Sequence, residues 1–323
     1  MSGALPGQPL PALSIVMPVY NAELHLDAAI RSALASDLEN LEVLVIDDGS
    51  SDRSLEIARS IADPRILVVT QKASGGPSRP RNVGIARSRA PYIAFLDADD
   101  LLKPDKLSRA VKALEQHPEA CVAFADYERI DDSGRILDAA TLVGYPVFQT
   151  LKTLPAGEPW RLIPQPEFAR GLLHENFIGT SGVILRRSAL ERVGLFDESL
   201  TYSEDRDLWF RLAHHGAALY SDRIGHAYRV SPGSLSFRPG VRQALSRITV
   251  LRRERARWNE RAARRQIDRL IAENLAAIAY DHRQGGRRLR SAATFLRAAL
   301  ASPESRWMRA ALGSLAAASR RAS

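Results

Sequence analysis

The sequence predicts an α/β fold: a mostly parallel sheet with helices on both faces, followed by an all-helical C-terminal segment. Three observations predict it. Short β-branched runs alternate with helical patterns through the first 116 residues, three of the four runs end in turn or acidic residues, and beyond Pro239 apolar residues recur every three or four positions without further strand signals. At 323 residues, 45% apolar and 25% charged, the chain is long enough for about two domains and has the balance of an ordinary globular protein. Disorder and collagen-like repeats are excluded by that balance, and no run approaches the roughly 18 uninterrupted apolar residues of a spanning helix.

Strands are expected at Leu13–Met17, Glu42–Asp47, Ile66–Val69 and Tyr92–Leu96, with helices near 23–35, 52–62, 79–89 and 104–116 between and after them. Ser51 and Asp52 suit the cap of the second helix, and Pro104 the first turn of the fourth. From 127 to 178 the periodicity weakens, and Pro146, Pro155, Pro159, Pro164 and Pro166 predict an irregular insert that walls a substrate pocket. A short strand at Gly182–Leu185, helices over 188–193 and 204–215, and extended pieces at 217–221 and 226–230 complete this block. In the tail, segment 274–303 carries alanines, Tyr280, Gly285, Gly286, Phe295 and Pro303 placed like one tetratricopeptide-type helix pair.

Charge divides the chain. The net charge is +8, but residues 236–323 hold 20 arginines, no lysine and 6 acidic residues, a net of +14, while residues 1–235 carry −6. The single cysteine, Cys121, rules out an internal disulfide, and the N-terminus has no basic stretch before its apolar run; both point to a cytoplasmic protein.

In a parallel α/β sheet, ligands bind beyond the carboxyl ends of the strands, so the residues there carry the chemistry. Asp97-Ala98-Asp99 closes an apolar strand and brings two carboxylates together. Hard oxygen donors of that kind suit Mg²⁺ or Mn²⁺ bridging a diphosphate, whereas the bland alternative is a turn that caps the next helix. Asp47-Asp48-Gly49-Ser50-Ser51-Asp52 reads either as a helix cap or as a carboxylate free for a base or ribose. Gly75-Gly76-Pro77 followed by Arg79, Arg81 and Asn82 is a candidate phosphate cradle. Glu204-Asp205 at a helix start is either a cap or a general base. G-x-G-x-x-G, P-loop and G-x-S-x-G patterns are absent, and His174, His214, His215 and His226 lack metal-ligand spacing.

Six segments in order resemble the family 2 glycosyltransferases, which have the GT-A fold, a Rossmann-like sheet, and use nucleotide sugars. They are Ser14–Asn21, Val43–Asp52, Gly76–Ile85, Tyr92–Asp100, Gly194–Glu198 and Glu204–Leu208, and the resemblance spans about 13–236. It implies a nucleoside-diphosphate-sugar donor, UDP-linked in most of the family, with Pro18, Tyr20 and Glu23 bordering the nucleoside, Asp48 accepting from the base, and Gly76, Arg81 and Asp97 at the nucleotide. Asp99, with Asp97, is implied as metal ligand for Mg²⁺ or Mn²⁺, Asp205 as catalytic base of an inverting displacement, and Glu204 and Gly182 as acceptor-side residues. The division implied is a flexible stretch 1–12, a GT-A domain over 13–236 with a nucleotide half (13–126) and an acceptor half (127–236), and a helical Arg-rich region over 237–323. Two departures stand out: Pro80 replaces the usual alanine, and Ser231 stands where relatives carry a histidine in a Y-R-x-H-x-x-S-x-S segment.

The implied acceptor is a cell-envelope glycan or lipid-linked intermediate in polysaccharide biosynthesis. An arginine-rich amphipathic tail is attracted to phosphate, which makes an anionic membrane surface at the inner face the expected partner; arginines that merely solvate helices packed on the core or on a second subunit of a homo-oligomer are the alternative. A nucleotidyltransferase would carry a glycine-rich N-terminal loop with a basic residue, which Pro18–Asn21 lacks. A non-catalytic nucleic-acid-binding protein would not explain the acidic first block, so no nucleic-acid partner is expected.

Overall fold

A computed structural model describes residues 10–231 and 240–319. Most of the predicted flexible stretch 1–12, the boundary at 236 and the last residues of the Y-R-x-H-x-x-S-x-S counterpart lie outside the described residues. The chain forms two compact units, one of residues up to Glu198 with Glu204–Ser231, the other of Ser199–Ser203 with the residues from 240 on.

The first unit is built on one sheet. Strands β1 (Leu13–Val19), β2 (Leu41–Asp47), β3 (Ile66–Thr70) and β4 (Tyr92–Phe95) stand in the order β3-β2-β1-β4, all parallel. The chain leaves β1 on one side for β2 and β3 and on the other for β4, so the strand order reverses at β1 and a crevice opens beyond its carboxyl end. Beyond β4 the sheet becomes mixed. β10 (Ile184–Arg186) runs antiparallel to both β4 and β6 (Ala120–Ile130), and β11 (Ala217–Arg229) is parallel to β6, with β9 (Trp160–Ile163) and β8 (Leu154–Pro155) at the edge. The short β5 (Leu101–Leu102) and β7 (Ile136–Asp138) pair with β11 and β6.

Both faces of the parallel part are covered, which explains why β1 and β2 read as continuous apolar runs. Leu13, Ile15 and Met17 point into a core shared with α1 (Leu26–Leu34) and α4 (Lys106–Gln116). The opposite face of β1, at Val16, meets α3 (Ser78–Arg87). Gly84 of α3 lies so close that a Cβ would stand 2.3 Å from Val16 Cγ1. α2 (Ser54–Ser60) follows β2, and Asp52, not Ser51, supplies the capping carboxylate, accepting from the Ser54 amide at 3.0 Å. Pro80 sits in the first turn of α3, where no amide is needed. α4 begins at Lys106, so Pro104 precedes the helix instead of occupying its first turn.

The segment 127–178 is not irregular. It holds the end of β6, β7, a 3₁₀ turn (Leu142–Gly144), α5 (Pro146–Thr150), β8, β9 and α6 (Gln165–His174). Three of its five prolines mark helix beginnings: Pro146 opens α5, and Pro164 and Pro166 flank the first residue of α6; Pro155 ends the edge strand β8, and at all four positions the missing N–H costs no hydrogen bond. The two extended pieces expected at 217–221 and 226–230 are one strand, β11, with its register shifted between Ser221 and His226. α7 (Arg187–Val193) and α8 (Glu204–Ala213) match their expected spans within a few residues.

The second unit is helical: α9 (Val241–Arg257), α10 (Arg261–Gln284), α11 (Arg288–Ala301) and α12 (Ser305–Ser319). Each packs on the next, and α10–α11 is the predicted helix pair, with Tyr280 edge-on to Phe295 at 5.0 Å. Among the described residues no helix is long and apolar enough to cross a membrane.

Lys106 is buried, its Nζ without a hydrogen-bond partner among the described residues and 5.3 Å from the Trp160 ring centre. Burial, with Arg109 nearby, pushes its pKa down from 10.5 to about 7. Between those values the unfolded chain holds a proton that the folded chain has lost, so this residue makes stability rise with pH across that window; below about pH 7 the full cost of the buried charge is present. Lys106→Met is expected to raise stability at pH 7 by about 1–4 kcal/mol, with the gain shrinking towards pH 10, as read by urea titrations at several pH values. Gly84→Ala, which drives a methyl group into Val16, is expected to cost about 1–3 kcal/mol in the same measurement.

Candidate active site

The crevice beyond β1, β2 and β4 is floored by three loops tied to one another. After β1, Asn21 adopts a left-handed φ of 48°, its amide donating to Ser50 Oγ at 3.0 Å while its Oδ1 accepts from the Ser51 amide at 2.8 Å. The Glu23 amide donates to Asp52 and its carboxylate accepts from the Arg53 amide, so Glu23 fastens the loop after β1 to the start of α2. Pro18 lies where β1 has outrun β4 and pairs with β2 alone; Tyr20 is 60% exposed at the rim.

Asp48 is buried and already engaged. Its Oδ1 accepts from Gln71 Nε2 at 2.5 Å, and the Ser74 amide and hydroxyl complete the set at 3.1 and 2.8 Å. This binds the end of β2 to the Ser74–Gly76 turn, where the Gly76 carbonyl oxygen lies 3.1 Å from the same hydroxyl. Gly49, at φ 76°, lets that turn come close, since a Cβ would sit 2.8 Å from the Ala73 amide nitrogen.

The Asp97–Asp100 turn assigns its carboxylates three different tasks. Asp100 is fully buried, accepts from Ser181 Oγ at 2.5 Å and from the Arg229 amide at 2.8 Å, and shapes the turn. Ser181 Oγ also accepts from the Asp97 amide at 3.1 Å. Burial first, then the neighbouring Asp99 and Asp97, hold Asp100 well above the ordinary carboxylate range. Asp99 is raised to about 6 by burial and by Asp97, with Arg229 pulling the other way and Asp132 adding to the rise. Asp97 is one-third exposed and accepts from Arg81.

Arg81 is the centre of the site. Its Nη2 reaches Asp97 Oδ1 and its Nη1 reaches Glu204 Oε1, both at 2.9 Å, and its guanidinium lies 5.4 Å from the Phe196 ring centre. Burial alone would disfavour its charge, but Asp97, Glu204 and Asp205 outweigh burial and raise its pKa further. The Arg81 side chain therefore points at carboxylates rather than standing open as a phosphate cradle. Asn82 likewise turns inward, donating to the Phe196 carbonyl at 2.9 Å and to Glu198 at 3.0 Å while accepting from the Phe196 amide at 3.0 Å.

α8 supplies Glu204 and Asp205 from its first turn. Glu204 is buried and raised to about 7, by burial first and Asp205 next, with Arg81 opposing. Asp205 accepts from Asn176 Nδ2 at 2.9 Å and from the Arg206 amide at 2.7 Å. Gly182, at φ 72°, lies between β4 and β11: its amide donates to the Phe95 carbonyl at 2.8 Å, and a Cβ there would stand 2.9 Å from His226 Nδ1. His226 is buried, stacked on Tyr127 at 5.0 Å, and burial pushes its pKa down to about 3, so it is neutral. Ser231 donates its hydroxyl to Asp132, the same carboxylate that adds to the rise of Asp99.

The structure thus joins Asp97, Glu204 and Asp205 around one guanidinium, with Asp99 next to Asp97. Sequence reasoning missed Ser181, Asp100, Asn176 and Arg229; the third aspartate of the 97–100 run was the one visible signal. Among the described residues no group of three or more His, Cys, Asp or Glu side chains is arranged to hold a metal. The pair Asp97 and Asp99 nevertheless has the chemistry a divalent cation takes: two neighbouring hard carboxylates, of which Asp99 is lifted by burial and then by Asp97, and phosphate and water oxygens commonly complete a Mg²⁺ shell.

A family model described as glycosyl transferase family 2 matches residues 14–194, more than half of the chain. The chain belongs to this family. The matched stretch includes Asp48, Arg81, Asp97, Asp99 and Gly182 and ends before Glu204. Among curated relatives of the family, the uncharacterized glycosyltransferase EpsJ of Bacillus subtilis is 31% identical over 74% of this chain and 67% of its own length. The succinoglycan biosynthesis protein ExoO of Rhizobium meliloti is 32% identical over 70% and 63%. The chain spans about two thirds of the length of such relatives. The fold is also that of S. aureus TarS, residues 1–349, in complex with UDP-GlcNAc, with a TM-score of 0.64 and 21% identity, covering 90% of this chain and 81% of that one. The architecture is therefore GT-A.

Removing the guanidinium leaves the buried Glu204 and the one-third exposed Asp97 without their cation. Arg81→Met is expected to lower stability at pH 7.5 by about 3–5 kcal/mol, and Arg81→Lys by less, because an ammonium keeps the positive charge although it cannot fork to both carboxylates. Chemical denaturation of the two variants checks both values.

Proposed function

We propose that the protein is an inverting glycosyltransferase that moves a sugar from a UDP-linked donor to a hydroxyl of a cell-envelope glycan or lipid-linked intermediate. The observation that carries this reading is the Arg81 bridge, which ties the carboxylate turn after β4 to the α8 turn bearing Asp205. The bridge keeps a candidate metal pair and a candidate base in one constellation. Asp205, steadied by Asn176, still has lone pairs free to take the proton of an acceptor hydroxyl as that oxygen attacks the anomeric carbon. Attack from the face opposite the leaving diphosphate inverts the configuration.

Asp97 and Asp99 are the residues that would hold Mg²⁺ or Mn²⁺, whose chemistry is to neutralise charge on the departing diphosphate. Asp48, Tyr20, Pro18, Glu23 and Gly76 border the nucleoside side of the crevice in this reading, and Gly182 with Glu204 borders the acceptor. A UDP-linked donor is supported by the UDP and UDP-GlcNAc complexes of TarS, and a polysaccharide product by the name of ExoO. Family membership leaves a nucleotidyltransferase without support.

The test is turnover of a panel of UDP-sugars with Mg²⁺ or Mn²⁺ present and after chelation. Asp205→Asn is expected to lower turnover by about 10²–10⁴-fold while UDP binding, read by calorimetry, stays within about twofold, the carboxamide being nearly isosteric. A fully active Asp205→Asn enzyme removes the base assignment; absence of binding and turnover with every UDP-sugar removes the donor assignment.

A further inference from the structure

The second unit presents a surface made of none of the residues assigned to the candidate site. On α11, Ser291, Ala292, Thr294, Phe295 and Ala298 face inward, and that side already satisfies the helix's packing. Leu289, Leu296 and Leu300, spaced by seven and four residues, lie on the opposite side and are 70%, 40% and 86% exposed. α12 also exposes apolar side chains, on a flank beside its buried face. Trp307, Ala311 and Ser314 are buried, with Ser314 Oγ 3.2 Å from Ser291 Oγ of α11, while Met308, Leu312 and Leu315 are exposed. Large apolar side chains thus stand in solvent on each of two consecutive helices, more than scattered single exposure explains.

The charge around these leucines is one-sided. From 288 to 319 the chain has five arginines and one acidic residue, Glu304. Arg306 is occupied by Glu304, Glu273 and the Trp307 ring. Arg290 and Arg297 follow Leu289 and Leu296 by one residue each, so they border the apolar stripe along one flank, and no carboxylate pairs with either among the described residues. We propose that the outer faces of α11 and α12 form a docking surface for an anionic lipid bilayer, leucines entering the interface and arginines lying among the headgroup phosphates.

Charge selects this occupant over the others. A second copy of the chain would bring the same arginine excess to the contact and be repelled, the whole region from 236 on being +14. A nucleic-acid backbone would satisfy the arginines but gives leucines nothing to bury in. An anionic bilayer satisfies both, by burial of apolar side chains at the headgroup boundary and by the negative surface potential. This inference stands apart from the donor and base assignments, because lipid binding is read without turnover.

The full chain is sedimented with vesicles of phosphatidylcholine alone and of phosphatidylcholine mixed with phosphatidylglycerol, at low and high salt, alongside light scattering of the free protein. The expected result is pelleting with the anionic vesicles only, reduced by salt. The double variant Leu296→Asp/Leu300→Asp should weaken it about tenfold or more with UDP-sugar turnover unchanged. Arg290→Glu/Arg297→Glu should weaken it as well and flatten its salt dependence, while circular dichroism of both variants matches the parent. Failure to pellet with anionic vesicles, equal pelleting on neutral ones, undiminished pelleting of the leucine variant, or a dimer that depends on these leucines without vesicle binding would each overturn the proposal.

Discussion

A single buried guanidinium organises the first unit. Arg81 leaves a helix packed on the parallel sheet and ends between two carboxylates from distant parts of the chain, one at the end of β4 and one at the start of α8. Desolvating a cation so fully is unfavourable unless opposite charges meet it, and here two do so at hydrogen-bond distance. The reverse holds too: without the cation, Asp97, Asp99, Glu204 and Asp205 would crowd one acidic cleft with no opposing guanidinium. Asn82, next along α3, grips the Phe196–Glu198 backbone and side chain, so one helical turn fastens both distant segments.

Much of this fold is legible in the sequence because the parallel strands are covered on both faces and therefore read as unbroken apolar runs ending in acidic or turn residues. The helices α1 and α4 are legible for the complementary reason, a single apolar stripe each. The segment 127–178 is where that legibility fails. A proline that breaks a helix and a proline that opens one look the same in composition, and Pro146, Pro164 and Pro166 are of the second kind. In the site, the positions of Asp97, Asp99 and Glu204 are visible in the sequence, but their partnerships are not. Arg81 resembles a phosphate ligand, since an arginine beside glycines usually is one, and only burial reveals that carboxylates hold it. Asn176 and Ser181 carry no sequence signal, because a lone amide or hydroxyl acquires its role from contacts far along the chain.

Dividing the charge by region has a structural counterpart. The acidic portion coincides with a cleft whose carboxylates are paired, raised in pKa, or arranged to receive a cation, and the basic portion with helices rich in exposed arginines. Each region's charge fits a different proposed partner, and the overall basic character of the chain describes neither.

Ser181 ties its hydroxyl to both the backbone of Asp97 and the carboxylate of Asp100, and it immediately precedes Gly182. The peptide expected to face the incoming substrate is therefore also the brace of the acidic turn that would face the donor. Remodelling that peptide to accept a different hydroxyl would disturb the opposite half of the reaction. A lineage diversifying its products has more freedom in segments that do not bear on this turn, so variation should gather elsewhere around the cleft while this short stretch resists change.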